Sequence, residues 1–300
     1  MRHRVFVLGP EKGWHASQLS DAAKRHEACL RFATYESLSS ASRTGEVSLL
    51  SEAGNLLEQD AILTRTMPAA SMERLTFRLS MLHLIADGLF ARPPILVNSP
   101  RCLEWCIDKS AATTRIAAAG FRTPPTRFVQ SRREAMDAFR ELGGDCILKP
   151  VFGGEGRGVM RVQDPELAWY ATGVLDQLDA VIQIQAFIPP GGIDLRLLFI
   201  GERCFAMRRR NANSFRTNVA AGSRVEIVSP DEQILNDARS ISDQLDLTFG
   251  AIDLIEAEDD PPYFLEVNAV PGWKAAQSVV KKSIAGCLIE TLVARIEESC

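Results

Sequence analysis

"CILKPVFGGEGRGVMRV", residues 146–162, has the shape of two short strands joined by a loop of glycines. Lys149 closes the first strand, and Gly153, Gly154, Gly156 and Gly158 follow before the second begins. Glycines leave backbone N–H groups unshielded, so such a loop can close over phosphate oxygens. It is not a Walker A loop, because the lysine precedes the glycines and a strand, not a helix, follows. A plain flexible hairpin fits the glycines alone; a lysine entering the same loop favours an anion site.

Downstream, the apolar run "AVIQIQAFI" (180–188) stops at Pro189-Pro190-Gly191-Gly192, a break between elements. In the next strand, "IDLRLLFI" (193–200), Asp194 and Arg196 share one face and Leu195 and Leu197 the other. Residues 203–224 then hold arginines at 203, 208, 209, 210, 216 and 224 and no acidic residue. A single-signed run inside a chain of net charge −4 points to anions. On an alternating strand Arg208 and Arg210 share a face opposite to Arg209. Whichever face meets a cleft, at least one guanidinium is expected to be free for a carboxylate.

"LTFGAIDLIEA" (247–257) and "YFLEVN" (263–268) read as a hairpin across the tight turn "EDDPP". Asp253 faces away from Ile252 and Leu254; Glu266 and Asn268 share a face, with Leu265 and Val267 on the other. Two such polar residues alone would suit a wet sheet face. Pairing them with Asp253 puts three oxygen ligands together, the arrangement that holds Mg²⁺ against nucleotide phosphates.

Upstream, strands at 4–9, "CLRFAT" (29–34), "AILTRTM" (61–67) and "ILVN" (95–98) alternate with helices over 15–28, near Ser17 or Ser20 at its start, and 71–90. That alternation predicts a parallel α/β domain over 1–98. Its first turn, "GPEKGW", carries only Gly9 and Gly13 and is no dinucleotide fingerprint. A helix from Ser99-Pro100 to Gly120, a strand in "FRTPPTRFV" and a helix closed by Gly143-Gly144 follow. Beyond these, closely spaced strands give an α+β pattern. Val280, Ile284, Leu288, Leu292 and Ile296 mark an amphipathic terminal helix.

Composition narrows the class. A hydrophobic share of 46% over 300 residues is enough for two or three globular units. No apolar stretch is long enough for a membrane span, and the first apolar run is too short for a signal-peptide core. Seven cysteines without framework spacing fit a reducing, cytoplasmic setting. Cys102 and Cys106 read as packing residues. The acidic balance argues against nucleic-acid binding. All four histidines lie outside the 146–268 stretch, so Ser-His-Asp or Cys-His catalysis is not expected.

These pieces, in order, resemble the ATP-grasp superfamily and within it the RimK-like amino-acid ligases. The match runs from "IDKSAATTRIAAAGFRTPPT" through "LKPVFGGEGRGV", "QAFIPPGGIDLRLLFIGE", "RRRNANSFRTN" and "GAIDLIE" to "LEVNAVPG". The resemblance implies an ATP-grasp fold of three parts, 1–98, 99–185 and 186–300, with ATP between the last two. It implies Lys109 and Lys149 as phosphate-contacting lysines and Gly153, Gly154 and Gly156 as the loop over the phosphates. Gln185, Ala186, Phe187 and Ile188 become the adenine hinge and Asp194 the ribose contact. Arg196, Arg216 and Asn218 fall at the reacting groups, and Asp253, Glu266 and Asn268 hold Mg²⁺ or Mn²⁺. The hinge departs from the usual Gln-Glu-Tyr-Ile by Ala186 and Phe187. The implied reaction is ATP-dependent formation of an amide through an acyl phosphate. L-glutamate is the favoured anionic amino acid, and the acceptor carboxylate and any homo-oligomer are left open. Other ATP-grasp branches, including carrier-protein ligases of lysine or arginine biosynthesis and glutathione-synthetase-like enzymes, and a non-catalytic ATP-binding regulator, are the alternatives.

Overall fold

A computed structural model describes residues 3–153, 158–217, 222–258 and 260–299. The first unit opens with β1 (His3–Leu8), α1 (Trp14–Arg25), β2 (Ala28–Ala33), β3 (Ser39–Arg43), β4 (Glu46–Ser51) and β5 (Gly54–Asn55). It closes with β6 (Ala61–Thr64), α2 (Met72–Ala86) and β7 (Ile95–Val97). β2-β1-β6-β7 form a parallel sheet, as the strand–helix alternation predicts. Val5–Leu8 are buried without interruption because a central parallel strand is covered on both faces. The small antiparallel sheet β3-β4-β5 is not anticipated by the sequence reading; every residue of β3 is exposed, so no apolar alternation marks it.

The expected single helix over 99–120 is two helices, α3 (Pro100–Ile107) and α4 (Lys109–Ala118). Asp108 divides them: its carboxylate accepts from the Ser110 and Ala111 amides at 2.8 and 3.2 Å, an N-cap that starts a new helix. β8 (Thr126–Val129), α5 (Arg132–Glu141), β9 (Cys146–Pro150), β10 (Met160–Val162), α6 (Pro165–Gln177) and β11 (Ile182–Ala186) follow. Their antiparallel sheet, in the order β10-β9-β11-β8, has its own core, built from α5, α6 and the inward side chains of the strands.

The last third contains β12 (Pro190–Ile200), β13 (Arg203–Arg210), β14 (Arg224–Ile227), α7 (Glu232–Gln244), β15 (Phe249–Ala257), β16 (Tyr263–Asn268), α8 (Lys274–Val279) and α9 (Ile284–Glu298). The helices α6 and α7 lie between the expected strands, in stretches to which the sequence reading assigned no element. β12 starts at Pro190, inside the expected break, and bulges before Asp194. The sheet runs β14-β13-β12-β15-β16. One face, with Leu195, Leu197, Phe199, Ile252, Leu254, Phe264 and Val267, joins a core with Phe6, Leu8, Ile62, α3 and α7. The other, with Leu198, Ile200, Phe249 and Ala251, joins a second core with Val5, Val7, Leu63 and α9. Each fully buried leucine of α9, such as Leu288 or Leu292, contributes ~1.5–3 kcal/mol by leaving water. Among the described residues no helix is long and apolar enough to cross a membrane.

One expectation fails within β16. Leu265 does not share the inner face with Val267; Phe264 does. Asp253 pairs with Glu266 while Leu254 pairs with Phe264, so Leu265 is the extra residue of a β-bulge. The bulge lets Phe264, Val267 and Glu266 all face the sides that burial and charge demand.

Candidate active site

Along the second face of the C-terminal sheet, side chains change from apolar to charged within two residues. Strand register sets out the rows. Phe205, Leu198, Ala251 and Asn268 stand side by side. The next row is Met207, Arg196, Asp253 and Glu266, and the one beyond begins with Arg209 and Asp194. The hairpin therefore brings Asp253, Glu266 and Asn268 together as the sequence reading required.

Arg196 grips Asp253 with a two-pronged fork, Nε to Oδ1 at 2.6 Å and Nη2 to Oδ2 at 2.5 Å. Arg209 forks onto Asp194 at 2.7 and 2.5 Å, and its Nη2 also lies 3.1 Å from Asp253. Asp194, Asp253 and Arg209 are all buried. Burial pushes the Asp253 carboxyl up, but Arg196 and Arg209 outweigh it and hold it well below the usual carboxylate range. At Asp194 burial wins and raises the carboxyl despite Arg209. Bidentate pairing is what makes such buried charges tolerable.

One expectation is corrected here, that a guanidinium of the 208–210 run stands free. Asp194, which the resemblance places at the ribose, has its oxygens engaged by Arg209 and by the Thr217 hydroxyl. Arg209 is the arginine that meets the site face, and it is fully committed. Arg208 and Arg210, on the opposite face, pair with Glu226, and Arg208 also with Glu256 at 2.7 Å. No guanidinium of the three is left free, because the acids that neutralise them come from outside 203–224.

Across the cleft, Lys149 donates to Gln185 Oε1 at 2.8 Å, and Gln185 donates onward to Thr126 Oγ1 at 2.8 Å. Burial drives the Lys149 ammonium down to about 8; Glu266 opposes that and Lys109 adds to it. Lys109, first residue of α4, donates to the carbonyls of Val151 and Gly153 at 3.0 and 2.7 Å, which anchors the start of the glycine loop. Its ammonium is likewise lowered by burial and supported by Glu266. Glu266 thus faces both lysines, yet among the described residues it makes no hydrogen bond or ion pair. Gly154, Gly156 and Asn218 lie outside the described residues.

The hinge is only partly free. The amides of Ala186 and Phe187 are already spent on the carbonyls of Pro125 and Asp145, at 2.8 and 3.0 Å. Among the described residues the Ile188 amide has no such partner. Arg161, itself forked onto Asp145, lies 3.5 Å over the Phe187 ring. Gly192 is positioned by need: at φ +71° a Cβ would meet the carbonyl oxygens of Asn211 and Ser214 at 2.7 and 2.8 Å. That close approach folds the 211–217 loop back over the start of β12. Arg216 then donates to the Val159 carbonyl while its Nε stays buried without a partner among the described residues.

The family model for the RimK-like ATP-grasp domain matches residues 106–292, more than half of the chain. The chain belongs to the RimK-like ATP-grasp family. This RimK-like chain is 29% identical over 272 residues to the tetrahydromethanopterin:alpha-L-glutamate ligase of Methanosarcina acetivorans, covering 84% of itself and 81% of that protein. A probable alpha-L-glutamate ligase of Rhodopirellula baltica is 31% identical over 204 residues, 67% of this chain; the match spans 50% of that longer protein. Among solved structures, the ATP-grasp ligase PsnB, complexed with a precursor variant, Mg and ADP, superposes with a TM-score of 0.74 over 98% of both chains at 18% identity. The expected ATP-grasp fold and ligase class are both met.

Sequence reasoning missed the committed state of Arg209 and the parts of Thr217 and the Gln185 side chain. One signal was present. Counting outward from the two-residue turn Gly201-Glu202 pairs Asp194 with Arg209 directly.

Proposed function

We propose that this RimK-like ligase joins the amine of L-glutamate to a carboxylate acceptor at the expense of ATP. The acceptor carboxylate oxygen attacks the γ-phosphorus, ADP leaves, and an acyl phosphate forms. The glutamate nitrogen then attacks the acyl carbon, losing a proton as inorganic phosphate departs. Positioning and charge neutralisation carry such a reaction, with no covalent role for the protein. The observation that carries the reading is the convergence of Lys109, Lys149, Arg196 and Arg209 on the row that ends in Asp253 and Glu266.

In this reading Lys149 and Lys109 bind the nucleotide's phosphates, Gly153 begins the loop that covers them, and the Ile188 amide meets the adenine edge. Ala186 and Phe187 hold that hinge through their own backbone bonds. Asp253, Glu266 and Asn268 fit a hard cation in that their oxygens share one sheet face and the Glu266 carboxylate is left without a partner among the described residues. Asp253, forked by Arg196, and Asn268, which accepts from the Val270 amide, would share their oxygens with the ion. When bound, Mg²⁺ neutralises developing phosphate charge. Arg196 and Arg216 border the reacting groups, and Asn218 is kept with them from the family pattern. The segments 99–185 and 186–300 are proposed as the two walls of the ATP cleft.

The test is ADP release from ATP with L-glutamate and candidate acceptors: reduced pterins, carrier proteins and peptide C-termini. Turnover that needs glutamate together with one acceptor is expected, and Glu266→Gln should raise the Mg²⁺ requirement sharply. An enzyme that ignores glutamate and ligates lysine or a neutral amino acid would overturn the choice of amine.

A further inference from the structure

Three side chains of the first unit reach across to the strands that carry the proposed metal ligands and to the chain that leaves them. Asn98, directly after β7, is 1% exposed and spends its whole carboxamide on them. Its Nδ2 donates to the Phe249 carbonyl at 2.6 Å and to the Ala269 carbonyl at 2.7 Å, and its Oδ1 accepts from the Phe249 amide at 2.9 Å. Phe249 is the first residue of β15, four before Asp253; Ala269 directly follows Asn268. Asn98 is itself held at its amide by Thr64 Oγ1, at 2.8 Å. Arg65, buried and stacked 4.7 Å from the Trp273 ring, donates to the Pro271 carbonyl at 3.2 Å. His15 Nε2 accepts from the Trp273 amide at 3.2 Å.

We infer that Asn98, supported by Arg65 and His15, is a positioning residue for the metal-binding hairpin: it fixes the offset of β15 against β16 and so the facing of Asp253 and Glu266. This rests on the metal reading above. The offset needs fixing because β16 carries a bulge at Leu265, and a bulged pair has a competing unbulged register one residue away. Slipping by one residue would turn Glu266 from the site face to the core face. The hydrogen bonds of Asn98 join the first residue of β15 to the residue that directly follows β16, at the end away from the bulge, so they oppose the slip without touching the ligands. Arg65 and His15 hold the next two turns of the same exit, at Pro271 and Trp273.

The probe is Mn²⁺ added to the ADP-saturated protein, with the half-saturating concentration read from the rise in Tm. Direct outer partners of metal ligands typically govern ~10–100-fold in metal affinity; Asn98 acts one step further out, through the strand backbone, so Asn98→Ala should raise that concentration several-fold, up to ~10-fold. Leu288→Ala in α9 supplies a comparison that loses stability through packing alone and should leave the concentration unmoved. Should Asn98→Ala fail to fold, His15→Phe removes only the bond to Trp273; it should move the concentration in the same direction, and His15→Gln, which keeps an acceptor, should restore it. Equal responses of Asn98→Ala and Leu288→Ala, or none from either, would overturn the positioning role, as would an unmoved His15→Phe where that variant stands in. Glu266→Gln separates the two layers. If it raises the half-saturating Mn²⁺ and Asn98→Ala does not, only the positioning role falls; if it has no effect, the metal reading falls and takes the positioning role with it.

Discussion

Arg209→Gln removes one guanidinium from between two buried carboxylates. Removing one partner of a buried pair costs ~3–5 kcal/mol, because the remaining charge is stranded. Two local groups limit the damage: Asp253 keeps the Arg196 fork and Asp194 keeps the Thr217 hydroxyl. The lower end, ~3 kcal/mol, is therefore expected, or a Tm loss of roughly 5 °C at an unfolding entropy of about 2.1 cal/mol/K per residue. The deficit should also depend on pH. Without Arg209, nothing ionic opposes the burial that already raises Asp194, so its folded pKa climbs further above the unfolded value of about 3.9. The folded variant then holds a proton that the unfolded chain has lost, and its stability falls as pH rises from about 4 through the raised pKa. Melting curves of parent and variant between pH 4 and 8 should diverge with rising pH. Adding Asp194→Asn should recover part of the loss, since both members of the pair are then uncharged. A deficit that is flat with pH, or no larger than an exposed ion pair's ~0.2–1 kcal/mol, would refute the reasoning.

Lys149 titrates near 8 in the folded protein and near 10.4 when unfolded, so the folded state binds fewer protons between those values. Stability should rise across that window while ADP affinity, followed by calorimetry, falls; an affinity constant to pH 9.5 would contradict a phosphate-binding ammonium. Lys149→Ala should abolish measurable ADP binding without unfolding the chain. Asp108→Ala removes the cap of α4 at a cost of ~1 kcal/mol and lets Lys109 drift from Gly153. KM for ATP should rise more than KM for the amino acid, and equal rises would point to a general loss of structure.

The parts legible in sequence were those with strong periodicity or punctuation. The parallel strands of the first unit, the α9 stripe from Ile284 onward and the Asp253–Glu266 hairpin all follow from apolar periodicity and short turns, whereas Val280, expected in that stripe, caps α8 in extended conformation. The division at Asp108 was missed because an N-cap residue inside an alanine-rich helical stretch looks like one more exposed polar position. β3 carries no buried residue, and α6 keeps Leu167, Tyr170, Val174 and Leu178 exposed, so neither shows the expected amphipathic pattern clearly. The arginine run misled for a different reason. Local sequence shows that 203–224 has no acids, but only the register across β12, β13 and β15 shows which acids stand opposite. Asn98 is the extreme case, since its partners lie 151 and 171 residues away.

The central sheet keeps its apolar core to itself, between Val129 and Ile184, while the parallel sheet and the C-terminal sheet share theirs. Among the contacts that tie this sheet's loops to the rest are the hydrogen bonds from Lys109 to Gly153 and from Arg216 to Val159, beside the edge-on contact of Phe187 with Phe215. The nucleotide exchange proposed above would then work against a few hydrogen bonds of ~0.5–1.5 kcal/mol each and one ring contact, and would expose little oily surface. Heat capacity tracks apolar exposure, so opening and closing should carry almost none of the heat-capacity change that curves the unfolding of the same chain. The open–closed balance would accordingly stay nearly level across temperatures at which the folded state itself gains and loses stability.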